Sequence, residues 1–219
     1  MSLIAKDTSN GADFAPIPPG MQHAVCYAVI DIGTQPATGN FPSRRKVVII
    51  WELPHELIEL ERDGVKKKLP RAISERFTLS LASKGNLRPM LESWRGRPFT
   101  EEELAGFDMK HLLGVNCFLN VVHLKGKGEK AGRTYANVAS VNPLAKGMQK
   151  IPHVNPLLLF SMDDFTGPVT IPEAVPEWIE ALIKQSDEYK AKANPNPNHP
   201  TESEQANIDP DADPDSVPF

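Results

Sequence analysis

At 219 residues and a formal net charge of −4, the chain can form one sizeable domain with tails, or two small domains. The opening residues lack the apolar run of a signal peptide, and no stretch of 18 apolar residues occurs. Composition therefore predicts a soluble cytoplasmic protein with no membrane partner. Cys26 and Cys117 lie far apart in apolar runs, which indicates buried reduced thiols and offers no zinc-site spacing.

Charge is divided unevenly along the chain. Residues 1–150 carry 21 Lys and Arg against 15 Asp and Glu, whereas residues 151–219 carry 3 against 13. A mildly basic body favours contact with a phosphate backbone. An acidic appendage can compete for that same surface, and it can also reach basic pockets on partner proteins.

The first half of the chain predicts an arm and three strands. Residues 1–20 are rich in Ser, Asn, Asp and Pro, which is typical of a flexible arm. Apolar β-branched runs predict strands over 22–34, ending at Gly33, and over 46–54. Alternation predicts a third strand over 73–81 with a polar, partly basic outer face.

The segment over 55–70 is ambiguous. Leu57, Ile58 and Leu60 could begin a helix, but Asp63 and Gly64 form a turn signal. A hairpin-like excursion is equally consistent with this segment.

Two helices, two strands and a last helix follow. Apolar spacing predicts a helix over 86–94 that stops at Gly96, and Thr100 with Glu103 forms a capping box for the next helix. Strands are predicted over 115–125 and 133–141, with a lysine-glycine loop between them. An amphipathic helix over about 176–193 would bury an apolar face made of Trp178, Leu182 and Ile183.

This order of elements predicts a fold that is mainly β with helices. Three strands, helices and two strands is the order of a five-stranded Greek-key barrel of the OB-fold type, although other α+β folds share it. The chain then divides into a flexible arm over 1–20, an OB-fold nucleic-acid-binding domain over 21–150, an extension with a C-terminal helix over 151–193, and a disordered acidic tail over 194–219.

Basic residues gather where the loops of such a barrel would flank a ligand groove. Single-strand binding needs a cationic channel for phosphates and aromatic faces on which bases stack. The run Lys66–Lys68 is more typical of a solvated turn. The candidate DNA-binding cations are Arg44, Arg45, Lys46, Arg76, Lys125, Lys127, Lys130 and Arg133.

Three aromatic residues are candidate stacking platforms. Tyr135 alternates with Arg133 and Asn137, which favours an exposed ring. Phe41 has turn neighbours, and exposure and burial are equally consistent with its position. Trp51 follows Val47 and Ile49 at period two, so a place in the core competes with a place in the groove and is somewhat favoured.

The segment W-R-G-R-P-F-T-E-E-E, over 94–103, has two interpretations. Arg95 and Arg97 could clamp phosphates, or the segment could be a helix end, a glycine stop and a new helix cap. The second interpretation accounts for most positions and is favoured.

Enzyme signatures are missing from the sequence. No G-x-x-x-x-G-K-[ST] loop and no G-x-S-x-G elbow occurs. Glu52 is followed by Leu53 and Pro54, which does not fit the metal-nuclease pattern, and the six histidines are scattered. The sequence therefore predicts no catalytic residue, no cofactor and no metal.

The last residues form an acidic, proline-spaced tail. Residues 193–219 contain six prolines, six acids and no Lys or Arg. This composition predicts a disordered tether, and an apolar end after the acids favours partner recruitment over mere solubilisation. The candidate partner-binding residues are Asp213, Asp215, Val217, Pro218 and Phe219.

Together these features resemble single-stranded-DNA-binding proteins, in particular a phage-encoded group. The tail ending in Pro-Phe carries the resemblance, with G-T-Q at 33–35, W-E-L-P at 51–54, T-L-S-L at 78–81 and R-G-R-P-F-T-E-E-E at 95–103. The resemblance implies sequence-independent binding and protection of single-stranded DNA in replication, recombination or repair. It also implies that the tail recruits replication or recombination proteins through Phe219. Bacterial members are commonly tetramers, and the sequence leaves a homo-oligomer open.

Two other functions remain as alternatives. The chain could be a protein-interaction adaptor whose tail is its only functional element. It could also be a strand-annealing recombination protein or an unrecognised nuclease. In each case the compartment expected is the cytoplasm, that of the host if the protein is phage-encoded.

Overall fold

The computed structural model describes residues 15–39, 41–62, 65–126, 128 and 132–193. These residues form a mainly β structure with four short helices. The strands are β1 (Gly20–Gln35), β2 (Arg44–Arg62), β3 (Val65–Thr78), β4 (Asn116–Lys125), β5 (Thr134–Pro143) and β6 (Leu158–Phe160). The helices are α1 (Leu87–Arg95), α2 (Glu101–Ala105), α3 (Glu177–Gln185) and α4 (Asp187–Ala193).

The strands form one sheet in the order β3-β2-β1-β4-β5, with β6 added beside β1. β1 is antiparallel to β2 and β4, and it is parallel to β6. On one edge, β1 pairs first with β4 through residues 20–25 and then with β6 through residues 28–30. β1 is therefore central, and its long apolar run is buried on both faces.

The inner face of the sheet carries the larger core. Val47, Ile49 and Trp51 alternate on β2 and point into this core, where α1 covers them. Trp51 packs against Trp94 of α1 with ring centroids 5.8 Å apart. Other fully buried members are Ala24, Cys26, Leu53, Leu91, Cys117 and Leu119.

The outer face of β1 and β2 is covered by residues 158–183 of the extension. Ile30 and Ile32 of β1 and Ile50 of β2 lie in one buried cluster with Ile179 and Ile183 of α3. Each fully buried isoleucine stabilises the fold by roughly 1.5–3 kcal/mol relative to an exposed one. The extension is thus part of the same folded unit as the sheet.

Glu52 fastens the start of the extension to β2. Its side chain is fully buried, and its carboxylate accepts hydrogen bonds from the backbone N–H groups of Val154 at 2.5 Å and Asn155 at 2.9 Å. The side-chain amide of Asn155 donates a third bond at 2.6 Å. A buried carboxylate is tolerated when hydrogen bonds satisfy it in this way.

A second set of polar contacts fastens the extension at the end of β1. Asp31 accepts hydrogen bonds from Arg45 at 2.5 Å and from the Met162 amide at 3.2 Å. Arg45 also pairs with Asp163 at 2.8 Å. Both carboxylates raise the pKa of the Arg45 guanidinium, first through the hydrogen bond that Arg45 donates to Asp31.

Gly33 is required where α4 approaches β1. Its φ of +66° is a left-handed conformation, and a Cβ there would lie 2.3 Å from the Met162 side chain and 2.6 Å from that of Glu188. The adjacent Thr34 donates to Glu188 through both its amide and its hydroxyl at 2.6 Å. β1 continues through Gly33 with a bulge, whereas the sequence predicted that the strand ends there.

The barrel predicted from the sequence is not closed. Among the described residues no hydrogen-bonded ladder joins β3 to β5, the two ends of the sheet path. Residues 71–74 of β3 and 132–136, where β5 begins, line a cleft of about 760 Å³ together with residues 15–17. A cleft therefore lies between parts of β3 and β5 that a closing ladder would join.

The ambiguous segment over 55–70 is a hairpin. β2 and β3 pair in register from Leu57 opposite Pro70 to Arg62 opposite Val65, after an irregularity at Leu53. The turn signal at Asp63 and Gly64 lies outside the described residues, between the two paired strands.

The prediction of one amphipathic helix over about 176–193 is wrong in two respects. The helix is broken at Ser186, which is buried and whose hydroxyl donates to Ile183 O at 2.6 Å and accepts from the Tyr189 amide at 3.2 Å. Its buried face also differs from the prediction, since Ile179 and Ile183 are buried and Trp178 is half exposed.

Part of the predicted arm is attached to the sheet. Ile17 is buried in the inner core, and its carbonyl lies 2.8 Å from His123 Nε2. Arg71 donates to the carbonyl of Ala15 at 2.5 Å. Residues 1–14 lie outside the described part of the chain.

Thr100 and Glu103 form the predicted capping box. The Thr100 hydroxyl accepts from the Glu103 amide at 3.3 Å, and the Glu103 carboxylate accepts from the Thr100 amide at 3.0 Å. Glu103 also pairs with Arg97 at 2.7 Å and with Arg95. Both arginines thus pair with the capping residue Glu103, and the helix end, the glycine stop at Gly96 and the new cap are those of the favoured interpretation.

Acid should remove the contribution of Glu103 to stability. The hydrogen bond from Arg97, then the Thr100 amide and Arg95, lower the pKa of Glu103 from 4.5 to about 2. A lowered carboxyl pKa contributes stability above the unfolded value and loses it as pH falls through the folded value. We expect Glu103→Gln to melt below the parent at pH 6, with the difference in Tm shrinking towards pH 2.

The control for this experiment is Glu102→Gln, on the same short helix at an exposed position. Thermal melts at several pH values between 6 and 2 measure both variants against the parent. A gap for Glu103→Gln that does not change with pH would contradict the assignment.

The two cysteines are buried free thiols, as predicted. Burial raises the pKa of Cys26 and of Cys117 well above the ordinary thiol value. The reactive thiolate is therefore disfavoured at both positions.

Candidate nucleic-acid interface

A groove runs along β3, between the β4–β5 hairpin on one side and α3 on the other. It consists of three clefts of about 760, 400 and 370 Å³. The first and second share Ser74, and the second and third share Arg76. We call these three clefts together the β3 groove.

The fold explains why β3 offers a free outer face. Ile73 and Phe77 point into the inner core, so Ser74 and Arg76 point outwards. Their partners on β2, Ile50 and Val48, are covered by the extension. α3 therefore stops at the boundary between β2 and β3 and forms one wall of the groove.

Cations dominate the charged residues of the β3 groove. Among the described residues, its charged lining consists of Arg71, Arg133, Arg76 and Lys46, against the carboxylate of Glu75. Within the described part of the chain, no carboxylate pairs with the exposed side chains of Arg76 and Arg133. Such cations can contact phosphates without first breaking an ion pair.

Each cleft of the groove contains one exposed aromatic ring. Tyr135 lines the first, Trp178 the second and Phe41 the third. The exposed fractions of these residues are 37%, 50% and 44%. Rings that are half exposed beside cations can offer flat apolar faces to a ligand.

Five of the predicted DNA-binding residues therefore lie in the groove. They are Phe41, Lys46, Arg76, Arg133 and Tyr135, from three different parts of the sequence. Lys125 ends β4 at an exposed position opposite Thr134, next to the hairpin that carries Arg133.

Trp51 is not a groove residue. It is fully buried in the inner core because the inward face of β2 lies beneath α1, so its ring has no face to offer a base. The competing interpretation of this residue, a place in the core, is the correct one.

Arg45 forms structural ion pairs and does not line the three clefts. Its guanidinium is held between Asp31 and Asp163, and the second of these carboxylates comes from the extension. Arg44 begins β2 opposite Gln35, where its side chain is half-buried and does not line the three clefts.

The remaining candidates lie outside the described residues. Lys127 and Lys130 belong to the β4–β5 turn, and the tail residues Asp213, Asp215, Val217, Pro218 and Phe219 follow residue 193. Their roles stay predictions.

Arg71, Asn137 and Trp178 are among the groove residues that sequence reasoning missed. Arg71 precedes the predicted third strand, Asn137 was used only to argue that Tyr135 is exposed, and Trp178 was assigned to a buried helix face. A signal for Trp178 exists, because Ile179 and Ile183 have the same i, i+4 spacing as Trp178 and Leu182.

Other kinds of site receive no support from the geometry. Among the described residues, no group of three or more His, Cys, Asp or Glu side chains could hold a metal ion. None of the helices in this part of the chain has the length and apolar character needed to cross a membrane. Comparison of the sequence and structure with protein-family models, curated proteins and solved structures finds no significant match.

Proposed function

We propose that this protein binds single-stranded DNA without sequence preference, and that it protects the strand during replication, recombination or repair. The observation that carries this proposal is the β3 groove, in which exposed cations and exposed rings line one continuous path. Sequence-tolerant single-strand binding uses this combination, because phosphates are the same in every nucleotide and every base has a flat face. The proposal includes no catalytic step and no cofactor.

The sheet order supports an OB-fold as the finer description of the fold. Opening a five-stranded OB barrel between its third and fifth strands leaves the order β3-β2-β1-β4-β5, with a helix between β3 and β4. The OB-fold binds oligonucleotides on its second and third strands between its first and last hairpin loops. Phe41 in the β1–β2 loop and Arg133 in the β4–β5 hairpin have the matching positions.

The acidic tail completes the proposal. We infer that residues 209–219 recruit replication or recombination proteins through Phe219, while the acids of the tail favour basic pockets on those partners. This inference rests on the sequence of the tail and on the charge division between residues 1–150 and 151–219.

Titration of a fluorescein-labelled 30-mer of oligo-dT at two salt concentrations tests the proposal. We expect binding at 50 mM salt that weakens at 200 mM, with a slope of log K against log salt of about −0.7 for each phosphate contact. Double-stranded DNA of the same length should bind more weakly, since its bases are stacked inside the helix. No binding of oligo-dT at low salt would overturn the proposal, and tighter binding of oligo-U would redirect it to RNA.

Deleting residues 209–219 separates this function from that of an adaptor. A DNA-binding body should keep or gain affinity for oligo-dT when the competing acids are removed. An adaptor would show no DNA binding in either form and would lose partner capture with the tail.

A further inference from the structure

The extension contributes Trp178, the most exposed of the three rings in the β3 groove. Half of Trp178 is exposed, although its neighbour Ile179 is fully buried. The ring lines the middle cleft together with Ser74 and Arg76 of β3 and Asn137 of β5. Its burial in the core is therefore incomplete, and its free surface faces the proposed path of the strand.

We propose that Trp178 is a base-stacking residue, so that the extension forms part of the DNA-binding surface as well as part of the core. This inference rests on the proposed function. It adds a contact to DNA from α3, which is not one of the five strands of the proposed OB-fold. Indole has the largest aromatic face of any side chain, and stacking on it tolerates every base.

The arrangement of rings and cations along the groove fits an extended single strand. Each cleft contains one exposed ring and at least one cation: Tyr135 with Arg71 and Arg133 in the first, Trp178 with Arg76 in the second, and Phe41 with Lys46 and Arg76 in the third. The stretch of β3 from Arg71 to Arg76 spans roughly 17 Å, at about 3.3 Å per residue. A strand laid along it would place bases and phosphates alternately against rings and cations.

The helix that carries Trp178 is held firmly in place. Ile179 and Ile183 are fully buried against the outer face of β1 and β2. The carbonyl of Leu182 accepts a hydrogen bond at 3.1 Å from the side-chain amide of Gln35 at the end of β1. A ring on such an anchored helix is positioned before the ligand arrives, so binding orders few additional groups.

The chain offers a direct optical test of this contact. It contains three tryptophans, and the other two, Trp51 and Trp94, are 0% and 4% exposed. Stacking of a base on Trp178 should quench the tryptophan fluorescence of the full-length protein. We expect quenching by oligo-dT that saturates at the same concentration as the anisotropy of the labelled oligonucleotide.

Variants identify the source of the quenching and its energetic weight. Trp178→Ala should remove the quenching and weaken binding about 5- to 150-fold, the range found for loss of one stacking ring. Trp178→Phe should also remove the quenching but restore most of the affinity. Met148→Ala, an exposed apolar residue that does not line the groove, is the matched control and should change neither.

The outcomes separate the two proposals. Binding of oligo-dT without quenching, together with unchanged affinity of Trp178→Ala, overturns the role of Trp178 and leaves the proposed function intact. Absence of any binding overturns both. If Trp178→Ala dissociates an oligomer in sedimentation without changing affinity, the ring is an inter-subunit contact and the inference is wrong.

Discussion

Reversing the charge of Arg76 and Arg133 together is expected to weaken oligo-dT binding by about 100-fold at low salt. Both side chains are exposed and line the β3 groove, Arg76 in the second and third clefts and Arg133 in the first. Arg76→Glu with Arg133→Glu would remove the two proposed phosphate contacts and add repulsion. The slope of log K against log salt should become shallower by about 1.4, since each lost contact to a single strand accounts for about 0.7.

A charge-matched control separates local contact from net charge. Lys150→Glu with Lys190→Glu changes the charge by the same amount at exposed positions that do not line the groove. We expect this control to lose a few-fold in affinity at most, through the long-range field alone. Equal losses in the two double variants would show that the groove is not the binding path.

Glu52→Ala is expected to lower the free energy of unfolding by about 3 kcal/mol, because it leaves three N–H donors of the extension without their acceptor. These donors are the amides of Val154 and Asn155 and the side chain of Asn155. The loss should show in denaturant melts. Hydrogen exchange should also become faster at residues 153–160, the part of the extension that contains the lost hydrogen bonds and the strand β6.

Glu59→Ala is the control on the same strand. Glu59 is exposed, and its ion pair with Lys66 at 3.3 Å lies at the surface. Removing it should lower the free energy of unfolding by no more than about 1 kcal/mol. Because α3 forms a wall of the groove, Glu52→Ala should also weaken oligo-dT binding more than Glu59→Ala does. Equal stability of the two variants would contradict the role assigned to the buried carboxylate.

The sequence predicted those parts of the fold that depend on local signals. The β-branched runs of β1 and β2, the alternation in β3, the glycine stop at Gly96 and the capping box at Thr100 all act within a few residues. The structure confirms these elements, although β2 and β3 extend well beyond their predicted bounds, β2 onward to Arg62 and β3 back to Val65. The long β2–β3 hairpin stayed ambiguous because its pairing is set by a partner strand, which periodicity alone does not identify.

The features that sequence reasoning missed depend on contacts between distant residues. Arg45 resembles a free groove cation until Asp163, far along the chain, is brought against it. An apolar residue follows both Trp178 and Ile179 at i+4, so the spacing is consistent with burial of either of two neighbouring helix faces. Packing against the sheet buries the face of Ile179. The uninterrupted apolar runs of β1 and β2 did contain a usable signal, since strands buried on both faces lack alternation.

The sequence identified part of the groove lining. Lys46 and Arg133 belong to basic groups near the predicted loops, Arg76 and Tyr135 to polar strand faces, and Phe41 to the first loop; the structure places all five along one path. Alternation with Val47 and Ile49 favours the core for Trp51, and its ring does lie in the inner core against Trp94. Alternation divides a strand into two faces, and only the tertiary arrangement shows which face is covered.

The pairing of β6 with β1 has a consequence for synthesis of the chain. Ala28, Ile30 and Ile32 leave the ribosome early, yet the residues that cover them, from Phe160 to Ile183, are made more than a hundred residues later. Until then the nascent chain exposes an apolar β surface to solvent, a state prone to aggregation. We expect fragments that end near residue 150 to need chaperones, whereas those that reach residue 193 should fold unaided.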